Sequence, residues 1–468
     1  MMDAISSLFS LDAIGSGILP SLLATASEAS NPVALQCGVL LSLIVVYLAS
    51  KVGGEICARF NLPPVLGELL GGVLVGISAL HLLVFPEGGG SGDNSLIMSF
   101  LQLTAGLQPG QVASVFSSDS EIISTLAEIG VVILLFEIGI ESNLNELLRV
   151  GPQALLVAVV GVVVPFAAGT IGLIWLFHTP TIAAIFAGAA LTATSIGITA
   201  KVLTEIGRLT SREGQIIIGA AVIDDVLGII VLAVVAGLGN TGSVEISQIL
   251  YLIISAVVFM VGSIFLGRLL SPYFIKLVQQ LKTRGQLLIT ALIFAFVLSY
   301  IAAAIQLEAI LGAFAAGLVL AETDKKEELG ELLKPVADVL VPIFFVVVGA
   351  RTDVSVLNPF VAENREGLIT ASFLIAVAIV GKVVTGLAVF GQPGINRLAI
   401  GVGMIPRGEV GLIFVSIGST IGILSKSLEA AIIVMVILTT FLAPPLLRVV
   451  FPDGETSSSE IAVSSESE

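Results

Sequence analysis

Two histidines, two cysteines and one tryptophan are all that a chain of 468 residues contains. No Cys or His pair falls at ligand spacing, so imidazole or thiolate metal chemistry and Cys-based redox motifs are excluded. Cys37 and Cys57 stand 20 residues apart on one apolar stretch, which as a helix separates them by about 30 Å, far beyond disulfide reach. Charge is scarce too: 12% of the residues are charged, against about 25% in soluble domains. Basic residues number only 20, against 35 acidic ones. They form no patch of the kind that binds nucleic acid. Much of the formal charge of −15 lies in the stretch Glu87–Glu121, just after Ala321 and in the Ser/Glu-rich tail after Phe451.

What fills the chain is apolar, 56% of it, in runs of helix length. This predicts an all-α polytopic membrane protein. Thirteen helices are expected, over about 33–53, 63–84, 122–142, 152–177, 180–204, 214–239, 247–269, 285–305, 308–322, 335–351, 367–391, 395–420 and 427–449. The acidic connector 85–121 has room for a short surface helix, and Lys276, Lys282 and Arg284 form a basic turn between the seventh and eighth helices. Residues 1–32 lack the basic start of a signal peptide and read as an interfacial or poorly ordered segment. Residues 33–450 read as the membrane domain, and 451–468 as a disordered acidic tail.

Basic residues cluster after the odd-numbered helices, including Lys51, Arg59, Arg149, Lys201, Arg208, Arg212, Lys325, Lys326, Lys334, Arg397 and Arg448. The opposite loops hold Arg351, Arg365 and Lys426. Positive residues stay cytoplasmic, so the C-terminus is expected in the cytoplasm and the N-terminus outside or in a lumen. An odd helix count agrees.

The two halves resemble each other. Asp224-Asp225 aligns with Val434-Met435 at an offset of 210, and Gly139 falls on Gly349 at the same offset. Gly67 and Gly72 align with Gly312 and Gly317 at an offset of 245. Helices two, three and six thus map onto helices nine, ten and thirteen. A shift of seven helices reverses direction through the membrane, the mark of an inverted repeat. The first repeat spans about 61–239, linking helices about 247–305, and the second repeat about 308–450.

The polar residues left inside the apolar runs are the candidates for chemistry. Asp224 and Asp225 lie in a 26-residue apolar run, Gly214–Gly239. A carboxylate at that depth costs about 2.5–3.5 kcal/mol on insertion scales. Two adjacent ones also repel each other. Ala220, Ala221 and Gly228 share their face and let neighbouring helices approach, so the pair points into protein. Protons, cations or a buried base are the possible occupants; a permanently paired structural carboxylate is the plain alternative. The helix before carries Thr192, Thr194, Ser195 and Thr199 around Gly197. Such hydroxyls either return hydrogen bonds to their own helix or sit in an unwound segment that ligates a cation. Gly401 to Gly411, with Pro406, cannot form a regular helix interior. There Arg407 can bond freed carbonyls and Glu409 can balance Arg407, in a gating, supporting or purely local role. Lys382 lies deep in the eleventh helix, where it either snorkels or pairs with Asp224 or Asp225. Glu68 and Glu137 also fall within spans, as inner-funnel or structural acids, and are not assigned to the site.

Together Asp224-Asp225, Lys382 and Pro406-Arg407-Gly408-Glu409 resemble the cation/proton antiporter superfamily, and within it the bacterial and cyanobacterial sodium/proton antiporters with an Asp-Asp pair. The similarity runs from about residue 33 to 450. It implies a thirteen-helix homodimer with a dimerisation domain and a core containing two crossed, discontinuous helices, 180–204 and 395–420. It further implies that Asp225 carries cation and proton as the principal Na+ ligand with Asp224. Asp224 would pair with Lys382 when proton-loaded, Thr194 and Ser195 would lie at the unwound crossing, and Arg407 and Glu409 would support the core. Secondary exchange of a monovalent cation, sodium foremost and potassium next, for protons is the expected function. More than one proton per cation would make it electrogenic. The membrane is the cell inner membrane or a thylakoid. No cofactor is expected, and with an 18-residue tail no nucleotide-binding regulatory domain. A cation channel or potassium-efflux system is the alternative. An intramembrane aspartyl protease fits less well: its aspartates must oppose each other across a peptide bond, and neighbours on one helix cannot.

Overall fold

Helices begin where a side chain can answer free backbone N–H groups. In the computed structural model of the chain, Asn31 accepts from the amide of Ala34 to start α1 (Pro32–Arg59), and Ser95 does the same for α3 (Leu96–Thr104) after the short α2 (Pro64–Val75). Asn143 accepts from Asn145 and Glu146 to separate α4 (Val112–Glu141) from α5 (Leu144–Phe177). The structure describes residues 31–86, 90–241, 245–280, 283–357, 362–390 and 394–451. Residues 1–30 of the expected N-terminal segment, 452–468 of the tail, and Lys282 lie outside them, as do the side chains of Lys276, Arg365 and Glu409.

The order continues with α6 (Thr181–Ala190), α7 (Ile196–Glu205), α8 (Arg212–Thr241), α9 (Ile246–Gln280), α10 (Gln286–Ala304), α11 (Ala309–Ala321) and α12 (Lys326–Ala350). It ends with α13 (Ala362–Val383), α14 (Arg397–Gly403), α15 (Glu409–Thr420) and α16 (Lys426–Val450). Every regular element among the described residues is helical. Nine helices there are long and apolar enough to cross a membrane, and four further apolar helices are shorter. The protein is an integral, multi-pass membrane protein.

Several boundaries differ from expectation for physical reasons. The connector 85–121 is largely helical: α4 begins at Val112 and buries Val115, Phe116 and Asp119, so tertiary contact overrides a polar local sequence. The basic turn after the seventh span begins later, because α9 runs on to Gln280 and carries Lys276 inside it. The eleventh span tightens after Val383 into a 3-10 turn, Val384–Ala388. There Thr385 donates its hydroxyl to the Lys382 carbonyl at 2.6 Å.

The helices pack as two groups. One holds α1, α2, α4, α10, α11 and α12; the other holds α5 to α8 and α13 to α16; α9 touches both. Within the first group, α2 lies on α12 as α11 lies on α4, and α1 on α2 as α10 on α11. The repeated glycines sit at these crossings. A Cβ on Gly72 would run into the backbone of Val346 and Gly349, and one on Gly317 into that of Phe136 and Gly139. Gly67 meets the Gly53 backbone as Gly312 meets that of Leu298 and Ser299. In lipid there is little hydrophobic drive between helices, so close backbone approach of this kind supplies the packing energy.

Backbone cannot rotate out of the way. Gly317→Val should therefore destabilise the protein by about 1–3 kcal/mol, seen as a lower melting temperature in detergent. Gly330→Val, on α12 with no atom within 4 Å of its added Cβ, should not. Equal melting of the two variants would contradict the tight crossing.

Candidate functional site

The site is built where two helices stop. The fifth expected span is two helices, α6 and α7, with an irregular turn over Leu191–Ser195 between them. The twelfth is likewise α14 and α15, interrupted at Met404–Gly408. Pro406 has no amide hydrogen to continue a helix. A break at this depth must find partners for its backbone groups, and the two breaks find them in each other. The Ser195 amide donates to the Pro406 carbonyl at 2.9 Å. The hydroxyls of Thr194 and Thr199 donate to the carbonyls of Met404 and Gly403 at 3.2 and 2.9 Å. In return Arg407, the largest fully buried side chain, donates to the carbonyls of Thr192 (3.0 Å) and Ala193. Thr440 on α16 closes the set by donating to the Arg407 carbonyl at 2.5 Å.

The four hydroxyls in and just after the first break therefore do different things. Thr192 bonds back to Ala189 of its own helix at 2.8 Å. Thr194 and Thr199 bridge to the other break. The Ser195 hydroxyl lies against Gly408, where an added Cβ would be 2.9 Å from it. Thr194 and Ser195 both line a small cavity.

Asp224 and Asp225 stand in the middle of α8 beside these breaks, and adjacency turns them to different surroundings. Asp224 and Lys382 are both fully buried, with the ammonium 3.3 and 3.4 Å from the two carboxylate oxygens. Gly161 on α5 makes room for it: a Cβ there would be 3.2 Å from Lys382 Nζ. Lys382 is therefore in place to neutralise Asp224 rather than snorkel. Asp225, 4% exposed, instead lines the cavity with Thr194, Ser195, Gly408, Phe344 and Glu308. That cavity lies between the two helix groups, since Phe344 and Glu308 come from α12 and the start of α11. Buried carboxylates balanced by buried cations, beside hydroxyl and carbonyl oxygens, make a hard-oxygen environment suited to protons or a monovalent cation. Among the described residues no cluster of three His, Cys, Asp or Glu is arranged for a multivalent metal.

Arg407 is aimed at carbonyls. Its expected balance by Glu409 lies outside the described residues. Glu68 and Glu137 are placed away from the pair, with Lys201 as their main basic neighbour; Glu68 also accepts from Ser50 at 3.1 Å. Glu308 is the acid that sequence reasoning passes over. Its one signal is asymmetry, because the offset of 245 that relates the glycines places it opposite Pro63.

A family model described as sodium/hydrogen exchanger, transmembrane, matches residues 39–451. A high-affinity Na+/H+ antiporter of Synechocystis, NhaS3, is 65% identical over 93% of this chain and 95% of its own length. The Na+/H+–K+ antiporter GerN of Bacillus cereus is 29% identical over 87% of this chain and 95% of its own length. The solved structure of the sodium proton antiporter MjNhaP1 of Methanocaldococcus jannaschii superposes with a TM-score of 0.59 at 16% identity, over 88% of this chain and 96% of that one; this likeness concerns the fold alone.

Removing one member of a buried ion pair strands the other. Lys382→Met should cost about 3–5 kcal/mol of stability, whereas the double change Lys382→Met with Asp224→Asn should recover most of it. Thermal unfolding in detergent distinguishes the two. A single variant as stable as the double one would mean that Asp224 does not depend on Lys382.

Proposed function

The chain belongs to the sodium/hydrogen exchanger family, and from that premise we propose that it exchanges sodium for protons at Asp225 by alternating access. It is a transporter rather than an enzyme. The observation that carries the reading is the division of labour within the pair: Asp224 is held by Lys382, while Asp225 faces a cavity between the two helix groups. One carboxylate is paired with the ammonium, and the other lines the space that an entering ion would occupy.

The sequence of events follows from charge. A sodium ion reaching Asp225 displaces its proton, takes oxygen ligands from the carboxylates and from Thr194 or Ser195, and in doing so competes with the Lys382 ammonium for Asp224. Lys382 then gives up its proton, since a buried ammonium without a carboxylate is disfavoured. On the return step Asp225 takes a proton and Lys382 regains one, restoring the Asp224–Lys382 pair. Two protons thus balance one sodium, and each cycle moves net charge. An ionised, empty site resists crossing the apolar barrier, whereas an occupied one crosses; that difference enforces exchange over leak. Arg407 keeps its charge throughout and holds the two breaks together, with Glu409 at the start of α15 as its further support.

The core that moves is the group α5 to α8 with α13 to α16. The group containing α2, α4, α11 and α12 is the scaffold and, in a homodimer, the dimerisation side. Thirteen crossings with the discontinuous helices crossed at mid-membrane, two inverted repeats over about 61–239 and 308–450, and a cytoplasmic C-terminus complete the arrangement. The membrane is the cell inner membrane or a thylakoid. Potassium is the competing cation, in keeping with the Na+/H+–K+ antiporter GerN.

In liposomes, Asp225→Asn should reduce sodium-driven proton flux to the level of protein-free vesicles; undiminished exchange would reject Asp225 as the carrier. With the unaltered protein, the exchange rate should change with an imposed membrane voltage. A rate indifferent to voltage would mean one proton per cation.

A further inference from the structure

The mechanism leaves one buried carboxylate unused. Asp119 lies two turns into α4, on the scaffold side and at the end opposite the basic loops. It is 7% exposed. Ser42 on α1 donates to its Oδ2 at 2.9 Å. Its Oδ1 is buried and has no hydrogen-bond partner among the described residues, nor does any basic side chain there pair with Asp119. A carboxylate withdrawn from water in this way needs a positive partner or a proton.

The surroundings supply oxygen atoms. Asp119 lines a small cavity together with the side chains of Ser42, Ser95 and Ser120 and the chain from Leu82 to Phe85. The Ser120 hydroxyl reaches the Val84 carbonyl at 3.5 Å. The cavity has room for a single water-sized occupant. Gly38 on α1 faces the same carboxylate, where an added Cβ would make ordinary van der Waals contact with Asp119 Oδ1 at 3.4 Å. One carboxylate with hydroxyl and carbonyl oxygens matches a single positive charge, whereas calcium sites take six to eight oxygens and usually several carboxylates.

We propose that Asp119, Ser42, Ser120 and the Val84 carbonyl form a second site for a sodium-sized monovalent cation, separate from Asp224 and Asp225. An ion held there ties the chain at Leu82–Phe85 to α1 and α4. It therefore stiffens the scaffold against which the core moves, and it does not itself travel.

The test uses the full chain carrying Asp224→Asn and Asp225→Asn, which removes the transport pair as a sodium site. Its melting temperature in detergent is compared in sodium chloride and in choline chloride of equal ionic strength. Sodium should raise it by several degrees in a saturable manner, and slow amide hydrogen exchange over residues 91–104. Adding Asp119→Asn should abolish both effects. Ser42→Ala, a milder change that removes one of the site's hydroxyls, should raise the sodium midpoint at least fivefold; it carries the test if Asp119→Asn does not fold. The absence of any sodium effect in the double variant, or an effect that survives Asp119→Asn or is unmoved by Ser42→Ala, would overturn the site and leave Asp119 as a protonated structural acid.

Discussion

Two interrupted helices buried in the protein, each completing the other's hydrogen bonds, are the constraint that the rest of this protein answers to. A buried backbone group left without a partner costs about 1–3 kcal/mol, and each break frees several. Neither interruption is tolerable alone. Ser195, Thr194 and Thr199 serve the carbonyls around Pro406, while Arg407 serves those of Thr192 and Ala193. The guanidinium suits that task because its donors are spread in a plane and its charge is permanent. A fixed positive charge at this point in turn makes room for acids beside it, and α8 supplies two.

The acids are then divided by neighbours rather than by chemistry. Asp224 is turned to Lys382 across the gap that Gly161 leaves, and Asp225 to the cavity that the scaffold closes on its other side. In the proposed exchange Lys382 balances Asp224, and the charge of Asp225 is the one that a sodium ion or a proton answers in turn. Competition between the two for one carboxylate is the condition for coupled exchange. The scaffold contributes the opposite quality. Its crossings at Gly72–Gly349 and Gly317–Gly139 are backbone against backbone, a contact with little freedom to shift. A rigid frame beside a group that contains two interrupted helices is the mechanical arrangement that the proposed alternating exposure requires.

Much of this was legible in the residues. Long apolar runs mark membrane helices because lipid leaves the backbone no other partner, and Asp224, Asp225, Lys382 and Arg407 stand out because charge at depth is costly. Less legible were features that depend on a distant segment. The stretch Phe116-Ser117-Ser118-Asp119-Ser120 reads locally as a polar connector, yet it is helical because α1 and the chain from Leu82 to Phe85 cover one side of it. Arg407 has Glu409 as its near neighbour in sequence, but its observed partners are carbonyls more than 200 residues away. Glu308 sits at a helix start, where an acid is ordinary, and only the packing of α11 against the core brings it to the cavity of Asp225. Local pattern fixes which residues are costly; three-dimensional packing decides which of them meet.

In the proposed exchange protons and sodium compete for one set of carboxylates. The most direct measurement is the sodium affinity of the purified protein by calorimetry at a series of pH values. Competition predicts that the apparent Kd weakens by about tenfold per pH unit for each proton displaced as the solution becomes acidic, with proton release scaling with buffer ionisation enthalpy. A Kd that stays constant with pH, with no protons released on binding, would contradict it.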